Sequence, residues 1–139
     1  MIVLDTNVIS ELQGRRHSDL ILRWLDRYDR EVVFLTAIAV AEIHFGIALL
    51  PQGARREALA AVFRRIEEEF SGRVLSFSHV SAARYGTLAA HCQKSGRPME
   101  IKDAMIAAIC LSHGATLATR NVKDFEGLDL KLVNPFEEA

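Results

Sequence analysis

The chain opens Met1-Ile2-Val3-Leu4-Asp5-Thr6-Asn7-Val8, and the reading of this stretch decides the fold. Its first four residues are apolar without interruption, so they lack the alternation of a strand with one wet face. Such a run reads as a short strand covered on both sides, as in a parallel sheet. Asp5 then stands at the carboxyl end of that strand, and Asn7–Leu12 reads as a short helix stopped at Gly14.

The same alternation continues outward from this start. Ser18 is a candidate N-cap for a helix to about Tyr28, with Leu20, Ile21, Trp24 and Leu25 on one face. Val32–Leu35 is a second apolar strand, and Thr36 caps a helix that runs to about Leu50 and is halted by Pro51. Residues 53–70 form an amphipathic helix with Leu59, Val62, Phe63, Ile66 and Phe70 as its apolar face. Arg73–Phe77 is a third strand, and Ser78 or Ser81 opens a helix to about Lys94. After the loop Ser95-Gly96-Arg97-Pro98 comes a helix over Lys102–His113, ended by Gly114. Thr116–Ala118 and Lys131–Val133 complete about five strands. Connections of this length require crossovers, so the expected α/β fold has a mainly parallel sheet with helices on both faces. Nothing resembles a repeat or a linker, and the 139 residues are expected to form one domain, 1–139.

Composition bounds the function. Half the residues are hydrophobic and a quarter charged, the balance of a folded globular protein. The longest apolar runs, such as Thr36–Ala41 and Ala104–Leu111, are too short to span a bilayer, and the first residues lack a signal-peptide pattern. A cytoplasmic location is the expectation. Cys92 and Cys110 have no metal-ligand spacing and read as buried thiols, and the five His show no paired spacing for zinc. The formal net charge of −1 does not announce a nucleic-acid binder. Local basic pairs exist: Arg55-Arg56 and Arg64-Arg65 read as solvated helix faces, whereas Arg15-Arg16 lies in a loop where a phosphate contact is plausible, and Arg120 and Lys123 stand near the C-terminus.

The acids carry the chemistry. Asp5 serves equally as an N-cap for the next helix or as a site residue. Glu42 has Ile38, Ala39, Phe45 and Gly46 as its helical neighbours, with no local basic partner. A carboxylate among apolar groups is costly unless a cation or hydrogen bonds compensate it. Asp103 opens its helix, where a first-turn carboxylate also favours the macrodipole, and Glu100 either joins the same site or faces water. Asn121 reads as a turn residue or a ligand, and Asp124 as a helix cap or a ligand. A parallel sheet brings all of these to one edge, where ligands bind. Carboxylates so gathered repel one another, and a hard cation such as Mg²⁺ or Mn²⁺ is the simplest neutraliser. A cation held this way suits attack of an activated water on a phosphodiester.

Several of these stretches match a known family. Ile2-Val3-Leu4-Asp5-Thr6-Asn7-Val8 resembles the first motif of PIN domains; Ala41-Glu42 with Gly46, Asp103-Ala104-Met105-Ile106-Ala107-Ala108, and Thr119-Arg120-Asn121-Val122-Lys123-Asp124-Phe125 are similar to the later motifs, in the same order. The likeness spans essentially the whole chain and is nearest to VapC toxins of the FitB-like group. It implies an α/β/α sandwich, a homodimer, a small VapB- or FitA-type DNA-binding antitoxin as partner, and Mg²⁺- or Mn²⁺-dependent endoribonuclease activity leaving 5′-phosphate and 3′-hydroxyl ends. By that likeness Asp5, Glu42 and Asp103 take the acidic metal positions, with Thr6, Asn7 and Thr119 supporting them and Arg15, Arg16 and Arg120 available to RNA phosphates. The fourth acidic position falls on the neutral Asn121, with Asp124 three residues on as the alternative.

Two rival readings stand beside this one. An aspartyl-phosphate phosphatase would want a second Asp at position 7, which is Asn. A scaffold of the same fold that binds RNA or antitoxin without cutting is compatible with the neutral Asn121. The Asn7–Leu12 helix and the Leu20–Leu25 face could form a groove for a partner segment, or belong to the core or a dimer surface. With seven Phe, two Tyr and one Trp and no evident stacking platform, the RNA itself is not legible.

Overall fold

A computed structural model describes residues 1–14 and 19–137. Strands β1 (Ile2–Leu4), β2 (Val33–Thr36), β3 (Val74–Leu75), β4 (Thr116–Ala118) and β5 (Lys131–Val133) form one sheet in the order β3-β2-β1-β4-β5. Every pairing is parallel. Six helices alternate with them: α1 (Thr6–Gln13), α2 (Asp19–Leu25), α3 (Ala37–Leu49), α4 (Ala54–Glu69), α5 (His79–Lys94) and α6 (Ile101–His113).

Successive side chains of a strand point to opposite faces, so two adjacent buried residues mean that both faces are covered. Val3 and Leu4 in β1, Leu35 and Thr36 in β2, and Leu117 and Ala118 in β4 are all fully buried. The unbroken apolar runs thus mark an α/β/α sandwich. Helices α1 to α4 pack on one another, and α5 lies along α6. α6 is the most deeply set, with Ala104 and Ile106 through Cys110 buried. Both thiols are buried, and burial pushes that of Cys110 up to about 12.

Local chemistry explains most boundaries. Thr36 accepts the Ala39 N–H at 3.1 Å, and Ser78, rather than Ser81, caps α5 by accepting the Ser81 N–H at 3.1 Å. Gly114 closes α6 at φ 61°, a left-handed conformation that a side chain would strain. Three expectations need correction. β3 spans Val74–Leu75 rather than Arg73–Phe77, because it pairs only with β2 at the sheet's edge. α2 stops at Leu25, three residues before Tyr28, and Val32 belongs to a 3-10 turn ahead of β2. Ser18, the expected cap of α2, lies outside the described residues.

α3 is apolar around its whole circumference, a pattern normally reserved for helices covered on all sides. Here Phe45 and Leu49 stand 62% and 68% exposed.

Candidate active site

The chain leaves β1, builds β2 and β3 on one flank, and then returns to lay β4 on the other flank of β1. The reversal creates a switch point between β1 and β4, and crevices outside strand ends at such points are where α/β sheets bind ligands. Asp5 and Thr119 are the first residues beyond these two strands. Leu4 pairs with Ala118, and the Asp5 N–H donates to the Ala118 carbonyl at 2.9 Å.

The Asp5 carboxylate is 4% exposed. Its Oδ1 accepts the Thr6 N–H at 2.8 Å, which caps α1. Its Oδ2 accepts the Thr119 hydroxyl at 2.7 Å and Asn7 Nδ2 at 3.4 Å. Capping and site-building are therefore not alternatives, since one oxygen caps and the other enters a network that a cap does not need. Thr119 Oγ1 also accepts Asn7 Nδ2 at 3.3 Å and the Asn121 N–H at 3.1 Å, so its donor and both lone pairs are used. Asn7 Oδ1 accepts the Arg120 N–H at 3.1 Å. Burial pushes the Asp5 carboxyl above its ordinary 3.8 and the Asp124 charge adds to this, against the pull of the Thr119, Thr6 and Asn7 hydrogen bonds.

Glu42 reaches the same edge from α3, where its Oε1 accepts the Thr6 hydroxyl at 3.0 Å. The expectation that it lacks a basic neighbour holds only along its own helix. Lys102, at the start of α6, brings its ammonium to 3.8 Å from Glu42 Oε2. Neither residue's own helix hints at this contact, and a single sequence carries no signal for it.

Glu100 settles into a structural role. Its Oε2 accepts the N–H groups of Lys102 at 3.1 Å and Asp103 at 3.2 Å, making it the N-cap of α6. Asp103 lies in the first turn behind it. Its carboxyl is pushed up to about 6, by burial first and then by the charges of Asp5, Glu100, Asp124 and Glu42. No hydrogen bond from a described residue reaches that carboxylate to offset them.

Asn121 is exposed at the head of a 3-10 turn, Val122–Phe125, and its side chain makes no capping bond. Asp124 lies inside that turn rather than capping a helix, with its N–H bonded to the Asn121 carbonyl at 3.0 Å. The Asp124 charge acts on both Asp5 and Asp103. Arg120 is already engaged: its guanidinium lies 3.7 Å over the Phe136 ring and 3.8 Å from Glu11 Oε2. Arg15 and Arg16 lie outside the described residues.

The family model of the PIN domain matches residues 2–129, on the fold and motif order just described. The chain belongs to the PIN-domain family. It is 42% identical over 99% of both chains to plasmid stability protein StbB of Pseudomonas syringae pv. tomato. It is 41% identical over the full length of both to VapC ribonuclease Y4jK of Sinorhizobium fredii. With toxin FitB of Neisseria gonorrhoeae it shares 36% identity over 99% of this chain and 100% of that one. A solved structure of FitAB bound to an IR36 DNA fragment contains a chain that superposes with a TM-score of 0.91 at 36% identity, covering 100% of this chain and 98% of that one.

The chemistry open to this PIN domain follows from its donors. They are carboxylate oxygens, without thiolate or imidazole, which suits a hard cation rather than zinc. Among the described residues no three acids, His or Cys stand close enough to form a closed metal cage. An open edge of this sort fits Mg²⁺, which keeps several waters and takes only one or two carboxylates directly.

Proposed function

We propose that this PIN domain is a divalent-cation-dependent endoribonuclease, the toxin of a VapBC-type toxin–antitoxin pair. The observation that carries the reading is the gathering of Asp5, Glu42, Asp103 and Asp124 at the β1/β4 switch point, where burial first, and then the charges of Asp5, Glu100, Asp124 and Glu42, push the Asp103 carboxyl up to about 6. A half-buried carboxylate with acids around it and no hydrogen bond from a described residue to offset them favours bound positive charge. The likeness to VapC ribonuclease Y4jK supports RNA as the substrate, and the likeness to toxin FitB supports the toxin role.

Asp5, Glu42 and Asp103 would hold Mg²⁺ or Mn²⁺, with Asp124 rather than Asn121 as the fourth acid. A cation bound there supplies a water of lowered pKa and a counter-charge to the scissile phosphate. The rest is done by the chain. Thr119 and Asn7 fix the Asp5 carboxylate in one orientation, and Thr6 does the same for Glu42. The Lys102 ammonium offsets part of the negative charge at Glu42.

The proposed partner is a FitA- or VapB-type antitoxin that binds DNA. Supporting this, Leu12 of α1, Leu22 and Leu25 of α2, and Val62, Ile66 and Phe70 from α4 and its end line an apolar groove of about 480 Å³, wide enough for one helical or extended segment. A second copy of the chain is the proposed cover for Phe45 and Leu49 on α3. We take residues 1–139 to work as one PIN domain in the cytoplasm; among the described residues no helix is long and apolar enough to cross a membrane.

The test is cleavage of a structured RNA by the purified chain. Cutting is expected with Mg²⁺, to stop in EDTA, to return with excess Mg²⁺ or Mn²⁺, and to be absent in a folded Asp5→Asn variant. Cutting that persists in EDTA or in Asp5→Asn contradicts the reading.

A further inference from the structure

Beside the acid cluster lies a second concavity, of about 370 Å³, that shares Asp103 and Asp124 with it as a common wall. That size falls within the range of small-ligand sites, roughly 300–1,000 Å³, and admits one nucleotide rather than a folded duplex. Its remaining walls come from the end of α5, the loop 95–100, and the turn that follows Phe125.

Two cations line it, Arg97 and Lys123, among the carboxylates of Glu100, Asp103, Asp124 and Glu126. Among the described residues neither cation stands in an ion pair, although acids line the same space. The backbone of Arg97 is set in place by its surroundings. Its N–H donates to the Cys92 carbonyl at 2.9 Å, and the neighbouring Gly96 N–H to Gln93 at 3.1 Å. Its guanidinium lies against Gly127, where an added Cβ would come within 3.2 Å of Nη1 and where φ is 86°. The positive φ favours glycine at this turn, and the absent side chain leaves the guanidinium room to lie close. Pro98, Met99 and Leu128 give the same cavity an apolar side.

We propose that this concavity seats the nucleotide adjoining the scissile phosphate, with the base stacked on the Arg97 guanidinium against Met99 and Leu128, and its phosphate held by Lys123. The inference rests on the ribonuclease reading. Its logic is that of single-stranded RNA recognition: a flat cation or ring takes the face of an unstacked base, and a point charge takes the backbone. A strand whose scissile phosphate lies at Asp5 and Asp103 must lay its next nucleotide against one of their flanks. Both flanks are concave and partly apolar; the Asp103–Asp124 flank carries two cations, Arg97 and Lys123, against the single Arg55 on the Glu42 side.

The experiment measures binding of a fluorescent single-stranded RNA of mixed sequence to the full chain in an Asp5→Asn background, across a salt series. Lys123→Gln is expected to lower the slope of log K against log salt by about 0.7, the value for one phosphate contact on a single strand. Arg97→Ala is expected to weaken binding about tenfold, with Arg97→Lys failing to restore it because the charge returns without the plane. Arg64→Gln, an exposed cation on α4 away from the concavity, controls for charge alone. In the cleaving chain, sequencing of cut ends from a randomised RNA should show Arg97→Ala relaxing base preference at one position beside the cut. Unchanged slope, affinity and preference in both variants, or full rescue by Arg97→Lys, overturns the assignment. If the wild-type chain cuts no RNA, the ribonuclease reading falls while the binding series still decides what the concavity holds.

Discussion

The acid cluster has two halves built on opposite principles. The Asp5 half is buried, and each carboxylate oxygen is held by hydrogen bonds from Thr6, Thr119 or Asn7. The Asp103 and Asp124 half faces a concavity, and no hydrogen bond from a described residue reaches Asp103. Both halves carry raised carboxyl pKa values, and desolvation leads in each, but neighbouring charges weigh more at Asp103. The contrast teaches a division of labour. The fold completes the first half by itself, at the junction of two adjacent strands. In the second half, no hydrogen bond from a described residue reaches the Asp103 carboxylate.

The comparison can be broken most forcefully at Asp5. Asp5→Asn is expected to reduce RNA cleavage on the order of 10³-fold. Circular dichroism and the unfolding midpoint of the metal-free chain should stay unchanged or rise, because a buried charge has been removed. A midpoint that collapses would mean that the loss of cleavage follows from lost folding rather than from the site. Thr119→Val tests the same half from behind. Losing the hydroxyl removes the shortest bond to the Asp5 carboxylate and leaves the Asn121 N–H without its acceptor, so denaturant unfolding should register about 1–3 kcal/mol of destabilisation. Cleavage should fall about 10–100-fold through the misaligned carboxylate.

At the open half, Asp124→Asn is expected to weaken Mg²⁺ affinity by about tenfold, measured by calorimetry, whereas Asn121→Ala stays near wild type. The reverse ranking would restore Asn121 as the fourth site residue. The smallest effect concerns pH. Asp103 binds its proton more tightly folded, at about 6, than unfolded, near 3.8, so between those values the native state holds the extra proton. Stability of the metal-free chain contributed by that group is present below pH 3.8 and is lost as pH rises through 6. Allowing for solvent screening, the loss amounts to about 1 kcal/mol and should vanish in Asp103→Asn.

Much of this was legible in the sequence, for identifiable reasons. The apolar runs at Met1–Leu4, Val32–Leu35 and Thr116–Ala118 read as strands, to within a residue at their ends, because parallel strands buried on both faces suppress alternation. Asp5, Glu42 and Asp103 stood out because they sit where a strand ends or among apolar neighbours. The choice between Asn121 and Asp124 stayed open, because both lie in or at a 3-10 turn that has no distinct sequence period; in the structure both are exposed, and the Asp124 charge acts on Asp5 and Asp103. Lys102 was missed since its partner Glu42 lies on a different helix, and helical spacing speaks only for neighbours three and four residues away. Glu100, read as joining the site or facing water, caps α6, and its charge still acts on Asp103. The edge strand β3 was overdrawn for want of a second neighbour to extend it.

The claim at the centre is that a divalent cation joins the two halves, and thermal unfolding of the purified chain at pH 7.5 across a Mg²⁺ series tests it most directly. A cation bound only by the native state stabilises it by about 2.7 kcal/mol at a hundredfold excess over Kd. The account predicts that the unfolding midpoint of the wild-type chain climbs with Mg²⁺, and that Asp5→Asn and Asp103→Asn each flatten the response. A wild-type midpoint indifferent to Mg²⁺, or one that climbs equally in both variants, would contradict it.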